Sequence, residues 1–282
     1  MKLISNITKM QEISEARALE KKRIGFVPTM GYLHQGHLQL VEKSVADNEI
    51  TVASVFVNPT QFGPEEDYDE YPRDLDRDLD LLQERGVDYV LYPDVEDVYP
   101  EGFATYVQVE KGTDVLCGRS RPNHFKGVTT VVSKLFNMVK PHRAYFGQKD
   151  GQQLLIIRRM VQDLNMDIEV VACPTVREED GLALSSRNKY LSPEEREAAL
   201  IIYNTLQKTR ERIEEGERDG WVLKKAMEEE IKAEPRANLD YASIVSREYL
   251  QELSRIEGPI MIAIAAFIGS TRLIDNVWLE VE

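Results

Sequence analysis

Cysteine is almost absent from this 282-residue chain: Cys117 and Cys173 lie far apart and form no CxxC pattern. That argues against a disulfide framework or a cysteine-rich zinc site, and two reduced thiols packed as small apolar side chains suit a cytoplasmic protein. Positive charge is also in short supply. Against 49 Asp and Glu there are 35 Lys and Arg, a formal net charge of −14 with pI near 4.9, so no broad basic face is expected for displacing counterions from nucleic acid. A small anionic ligand needs only a few cations in a cleft and stays admissible. Long apolar runs are missing as well. The longest, "IMIAIAAFI" at 260–268, is too short to span a bilayer, and the N-terminal "MKLISNITKMQEISEARALEKKR" lacks the apolar stretch of a secretory signal. No internal repeat, low-complexity linker, GxxxxGK[ST] or GxGxxG occurs, which removes P-loops and the glycine-rich dinucleotide fingerprint.

Apolar residues make up 42% of the chain, enough for one large domain or two unequal ones. Through about residue 175, short apolar runs alternate with helix-period segments. "RIGFVP" (23–28), "ITVASVFV" (50–57), "DYVLYP" (88–93), "RAYFGQ" (143–148) and "IEVVACP" (168–174) read as strands, several apolar throughout, as strands buried on both faces are. "GVTTVVSKLFNMVKP" reads as a helix on the spacing of Val128, Val131, Val132, Leu135, Phe136 and Val139, and Leu75, Leu79 and Leu82 mark another. Alternation of this kind implies a parallel sheet with right-handed crossovers, whose ligands sit beyond the carboxyl ends of strands. After residue 175 the pattern changes. "SPEE" at 192–195 is a helix start with a Ser192 cap and Glu195 closing a capping box. A second helix around "WVLKKAMEEEIK" and strands at "LDYASIVS", "PIMIAIAAFIG" and "VWLEVE" complete a smaller C-terminal α+β unit. The expected division is 1–175 and 176–282.

"TMGYLHQGHLQL" directly follows the first of those strands, and a helix with Leu38, Val41 and Val45 on one side begins near Gly36. His34 and His37 therefore sit at a helix N-terminus, where unpaired amides and the positive dipole end attract anions and Gly31 and Gly36 let a phosphate approach the backbone. Zinc is the rival, but it wants a third ligand and usually an i, i+4 pair, and no partner presents itself. Loop histidines without a role are the bland alternative.

HxGH after a strand of an α/β sheet resembles the HIGH-type nucleotidyltransferase superfamily. "VPTMGYLHQGH", "SVFVNPTQFGPEEDYDEYPRDLDRD", "RPNHFKGVTTVVSKLFNMVKPHRAYFGQKDGQQLLIIRRMVQDLN" and "PTVREEDGLALSSRNKYLSPEER" narrow the likeness. Together they resemble the pantoate–β-alanine ligases over nearly all of residues 20–196. The resemblance implies a Rossmann-like parallel sheet with a HIGH-type nucleotide site, and a C-terminal domain whose "LSSRN" loop closes over that site. It also implies condensation of pantoate with β-alanine through an acyl-adenylate, with release of pyrophosphate and AMP.

By the same resemblance, Met30, Gly31, His34, Gly36, His37, Gly147, Gln148, Lys149, Asp150, Val176, Leu184, Ser185, Ser186 and Arg187 bind ATP. Within that set His34, His37, Lys149, Ser186 and Arg187 act on the phosphates. His37 is the candidate for proton transfer, because an ordinary imidazole titrates near pH 6.5. Gln61 and Gln153 hold the hydroxyls and carboxylate of pantoate, with Pro28, Met30 and Phe62 as apolar wall, and Arg121, His124 and Lys126 of "RPNHFKG" lie beside the site. Magnesium is expected with ATP, with Asp76 or Asp78 helping through water. "RDLDRDLD" read alone is equally a solvated acidic face, and an SSRN turn before a capped helix is equally a structural turn. A homodimer is the expected assembly. Two rivals remain: a nucleotidyltransferase that keeps the nucleotide on its product, and a nucleotide-sensing module without catalysis.

Overall fold

The structure is a computed structural model and describes residues 1–63, 66 and 68–282. Its strands are β1 (Lys2–Ile4), β2 (Ile24–Thr29), β3 (Ile50–Val55), β4 (Tyr89–Leu91), β5 (Arg143–Gly147), β6 (Glu169–Cys173), β7 (Ala237–Ser246), β8 (Gly258–Ile268) and β9 (Thr271–Val281). Its helices are α1 (Ile7–Leu19), α2 (Gln35–Asp47), α3 (Leu75–Glu84), α4 (Val95–Val98), α5 (Cys117–Ser120), α6 (His124–Val139), α7 (Gly151–Asp163), α8 (Pro193–Glu214) and α9 (Gly220–Ala233). The chain forms two compact units, one of residues 1–110, 121–147 and 156–174, the other of residues 111–120, 148–155 and 175–282.

In the first unit six parallel strands run in the order β1-β4-β3-β2-β5-β6. The central strands are apolar because both faces are covered: all six residues of β3 are buried, as are Ile24, Gly25, Phe26, Val27 and Thr29 of β2. Strand order reverses at β2, which is flanked by β3 and β5, and the carboxyl ends at such a switch point are where open α/β sheets place ligands. Val27, Leu33, Leu38, Val41, Val55, Leu82 and Tyr145 pack as one core cluster there. The three-residue β1 escapes the sequence reading because it is mostly exposed and pairs only at the sheet edge with β4. Expected strand 88–93 shortens to β4 because Pro93 has no N–H to extend a ladder.

The second unit is an antiparallel sheet, β7-β8-β9, packed under α8 and α9. Ser192 caps α8 as expected, its hydroxyl accepting from Glu195 N at 3.2 Å while the Glu195 carboxylate accepts from Ser192 N at 2.9 Å. Ile260, Ile262, Ile264, Ala266 and Ile268 of β8 are all buried against the two helices. β9 begins six residues before the expected "VWLEVE", at Thr271. Its first half was hidden by Asp275 and Asn276, polar residues that interrupt an apolar pattern although both are buried.

Candidate active site

The loop from β2 to α2 is built from its own residues. Thr29 Oγ1 donates to Ser54 O at 2.7 Å and accepts from Gly31 N at 3.1 Å, while Gly31 takes φ +85°, which favours glycine. His34 is the N-cap of α2. Its Nδ1 accepts from Gly36 N at 3.1 Å, and His37 Nδ1 accepts from His34 N at 3.4 Å, a capping box made by two imidazoles with ring centroids 4.1 Å apart. With each Nδ1 accepting a backbone amide, the hydrogen-bond pattern assigns the proton of each neutral ring to Nε2. Gly36 is required for this fold-back, since a Cβ there would lie 2.9 Å from His34 Cε1.

α3 clamps the same loop. Asp78 is 1% exposed, and its two carboxylate oxygens accept from Tyr32 N at 2.6 Å and Leu33 N at 2.7 Å. Burial pushes the Asp78 pKa up, and these two backbone amides oppose that shift. Arg77 donates to Leu33 O at 2.9 Å and lies over the Tyr32 ring, 5.3 Å from its centroid. Of the two acids expected to help magnesium through water, Asp78 is committed to loop amides, whereas Asp76 is exposed in the first turn of α3. Among the described residues no group of three or more His, Cys, Asp or Glu could hold a metal.

Gln61 ends a 3-10 turn, Pro59–Gln61, that follows β3. Asn58 Nδ2 donates to Gln61 Oε1 at 3.1 Å and to Gly127 O at 3.2 Å, and Gln61 Nε2 reaches Met30 Sδ at 2.9 Å. Gln61 and Met30, both expected at pantoate, are thus neighbours. Gly127 allows the contact, because a Cβ there would be 2.3 Å from Thr60 O. Phe62 packs edge-on to Tyr68 and Tyr71, and Pro28 is half-buried on β2. His124 Nδ1 is 2.8 Å from Gln61 O, and Arg121 pairs with Glu66 at 2.5 Å, so these two support the Gln61 turn while Lys126 lies over the Tyr106 ring. The Arg121 guanidinium holds the Glu66 carboxyl below its usual range against an upward push from burial. A cavity of about 140 Å³ borders the loop, lined by Met30, Gly31, Tyr68, Arg73 and Tyr92 among others. Pro28, Gln61 and Phe62 are not among its lining residues.

In the second unit, Gln148–Asp150 form a 3-10 turn after β5. Asn276 Nδ2 donates to Gln148 O and to Lys149 O, both at 2.9 Å, and Lys149 Nζ stands 3.9 Å from Asp150 Oδ1. Gly147, just before the turn, has nothing within 4 Å of an added Cβ among the described residues. The two glutamines of "GQQ" divide their work. Gln152 is buried, accepting from Cys117 N at 3.0 Å and donating to Gly112 O at 2.9 Å and Val115 O at 2.8 Å, whereas Gln153 is half-buried. Val176 and Leu184 come together across a short hairpin, Leu184 N donating to Val176 O at 3.0 Å. Ser185 then caps a 3-10 turn, Ser186–Tyr190, accepting from Arg187 N at 3.3 Å.

The chain matches the sequence model of the family described as pantoate-beta-alanine ligase over residues 2–278. It belongs to that family. It is 56% identical to the pantothenate synthetase of Caldicellulosiruptor saccharolyticus over 281 residues, all of both chains. It is similar to the crystal structure of pantothenate synthetase from Thermus thermophilus, with a TM-score of 0.92 and 52% identity over 98% of this chain and 99% of that one. The pantoate-beta-alanine ligase of Francisella tularensis, solved in complex with beta-gamma ATP and beta-alanine, has a TM-score of 0.80 at 35% identity, over 98% of this chain and 97% of that one.

Within this pantoate–β-alanine ligase fold, sequence reasoning missed the contacts that hold the loop after β2 in the first unit and the turns at Lys149 and Ser185 in the second. The role of Asp78 in binding amides, the Asp275–Arg177 pair and the Asn276 amide all depend on partners at least 45 residues away. A polar dipeptide inside an otherwise apolar strand was the available signal for Asp275 and Asn276.

Proposed function

We propose that this chain condenses pantoate with β-alanine to form pantothenate, using ATP and passing through pantoyl adenylate. The observation that carries this most is the reciprocal His34–His37 cap, which sets two imidazoles at the positive end of α2, each with its Nδ1 turned to a backbone amide. Pantoate's carboxylate is ionised at neutral pH and needs no base. Its oxygen attacks the α-phosphorus of ATP, the bond to the bridging oxygen of the β-phosphate breaks, and pyrophosphate leaves. The amine nitrogen of β-alanine then attacks the acyl carbon, gives up one proton and expels AMP as the amide forms.

Catalysis is then positioning and neutralisation. Holding the reactants in line accounts for about 7 to 11 kcal/mol of the barrier, and aimed donors for a few more. In the first unit His34 and His37 donate to phosphate, Met30, Gly31 and Gly36 let the nucleotide approach, and Gln61 binds pantoate beside Pro28, Met30 and Phe62. In the second unit Lys149, Ser186 and Arg187 take the charge of the departing pyrophosphate. Gln148, Asp150, Val176, Leu184 and Ser185 complete the nucleotide contacts, and Gln153 completes those to pantoate. Arginine's fork and lysine's point charge both suit phosphate. Magnesium would arrive with ATP and neutralise phosphate charge; of the two acids that could help it through water, Asp78 is already committed to two amides, which leaves Asp76. Residues 1–175 are read as the ATP- and pantoate-binding domain and 176–282 as the domain bringing the SSRN loop. No helix among the described residues is long and apolar enough to cross a membrane, and a cytoplasmic homodimer completes the proposal.

Mixing the protein with ATP, magnesium and pantoate, with and without β-alanine, tests this. AMP and pyrophosphate should accumulate over many turnovers only when all substrates are present. ADP, or a stable nucleotidyl product, would reject the chemistry, and ATP binding without turnover would favour a sensing module.

A further inference from the structure

We infer that Asn276 is the positioning residue for Lys149, and that the Asp275–Asn276 step of β9 sets both phosphate-directed segments of the second unit from one strand. Successive residues of a strand face opposite sides. Asn276 pairs with Ala263 on β8, and Trp278 with Met261, so Asn276 shares its face with Met261, Ala263 and Trp278. A polar side chain 8% exposed in such company carries a desolvation cost that only specific bonds offset. Its Nδ2 makes two, to Gln148 O and Lys149 O, while its Oδ1 is buried with no hydrogen-bond partner among the described residues. Those carbonyls belong to the two peptide planes on either side of the Lys149 Cα. Fixing both planes fixes the direction in which the lysine leaves the backbone, which a three-residue 3-10 turn does not do by itself. The approach is close enough that a Cβ at Gly151 would meet Met261 Sδ at 2.7 Å and Asn276 Oδ1 at 3.0 Å.

Asp275 does the corresponding work on the other face. Its carboxylate accepts from Arg177 Nη1 at 2.6 Å and Nη2 at 2.9 Å, and from Asn276 N at 2.8 Å. Arg177 in turn donates to Gly181 O at 3.0 Å and lies over Tyr203, which ties the Val176–Leu184 hairpin, and the Ser185–Arg187 turn it leads into, to β9.

This inference rests on the phosphate role proposed for Lys149, and the test separates the two. Pantoate-dependent ATP–pyrophosphate exchange is measured for the parent protein, Lys149→Ala, Asn276→Ala and the double variant, with thermal melting as a check of folding. Lys149→Ala should lose about 100-fold or more, and Asn276→Ala about 10- to 100-fold in rate with the KM for pantoate within about twofold. The double variant should be no slower than Lys149→Ala alone, because the holder has nothing left to hold. Losses that multiply, or an Asn276→Ala protein with parental rate, overturn the positioning role. A Lys149→Ala protein of parental rate overturns the phosphate role beneath it. If Asn276→Ala melts below the assay temperature, Asn276→Ser, which keeps one donor, carries the same comparison.

Discussion

The histidine loop of the first unit and the lysine turn of the second are held in different ways. His34 and His37 cap each other across three residues, and the farthest hydrogen bond to their loop from α3 spans 46 positions. The turn carrying Lys149 is held from 127 and 128 positions away by one side-chain amide, and the hairpin before Ser185 from 98 positions away by one carboxylate. A locally built loop keeps its geometry as long as its helix does. A remotely held turn is only as well placed as the strand that reaches it.

Four substitutions or conditions probe that contrast. His37→Ala removes both the proposed phosphate donor and half of the cap, and adenylate formation should fall at least about 100-fold in a protein that still folds, read by pantoate-dependent pyrophosphate release. Asp78→Ala strands the buried Leu33 amide and the half-buried Tyr32 amide and should lower stability by about 2 to 4 kcal/mol in urea unfolding, with activity lost as the loop loosens. Gly36→Ala places a Cβ against His34 Cε1, and should cost about tenfold in the same release assay while leaving the melting temperature almost unchanged. The smallest effect is on pH dependence. Because Arg121 lowers the Glu66 pKa, the pair's stabilisation is complete above the ordinary glutamate value of about 4.3 and is lost as pH falls through the lower folded value. Urea midpoints of the parent protein should therefore drop more steeply below that pH than those of Glu66→Gln.

The same contrast explains what could be read in the chain alone. The alternation of apolar runs and helical stripes was sufficient for the parallel sheet, and HxGH at the start of α2 was legible because cap, helix and histidines lie within a few residues. Ser192 and Glu195 were legible for the same reason. Asp78 was not: its place among alternating Asp and Arg suggested a solvated face or a metal, and only the folded loop shows that its oxygens meet Tyr32 N and Leu33 N. In "GQQ" composition does not distinguish the glutamine that holds residues 112–117 from its half-buried neighbour. Asn276 is the extreme case, since its partners are two carbonyls that no side-chain pattern records.

The most direct measurement follows oxygen. With pantoate labelled by 18O in its carboxylate, turnover in unlabelled water with ATP and β-alanine should place one labelled oxygen in the phosphate of AMP and leave the other in the amide carbonyl of pantothenate. Label in inorganic phosphate, or AMP free of label, would contradict an acyl-adenylate and with it the roles assigned to His34, His37 and Lys149.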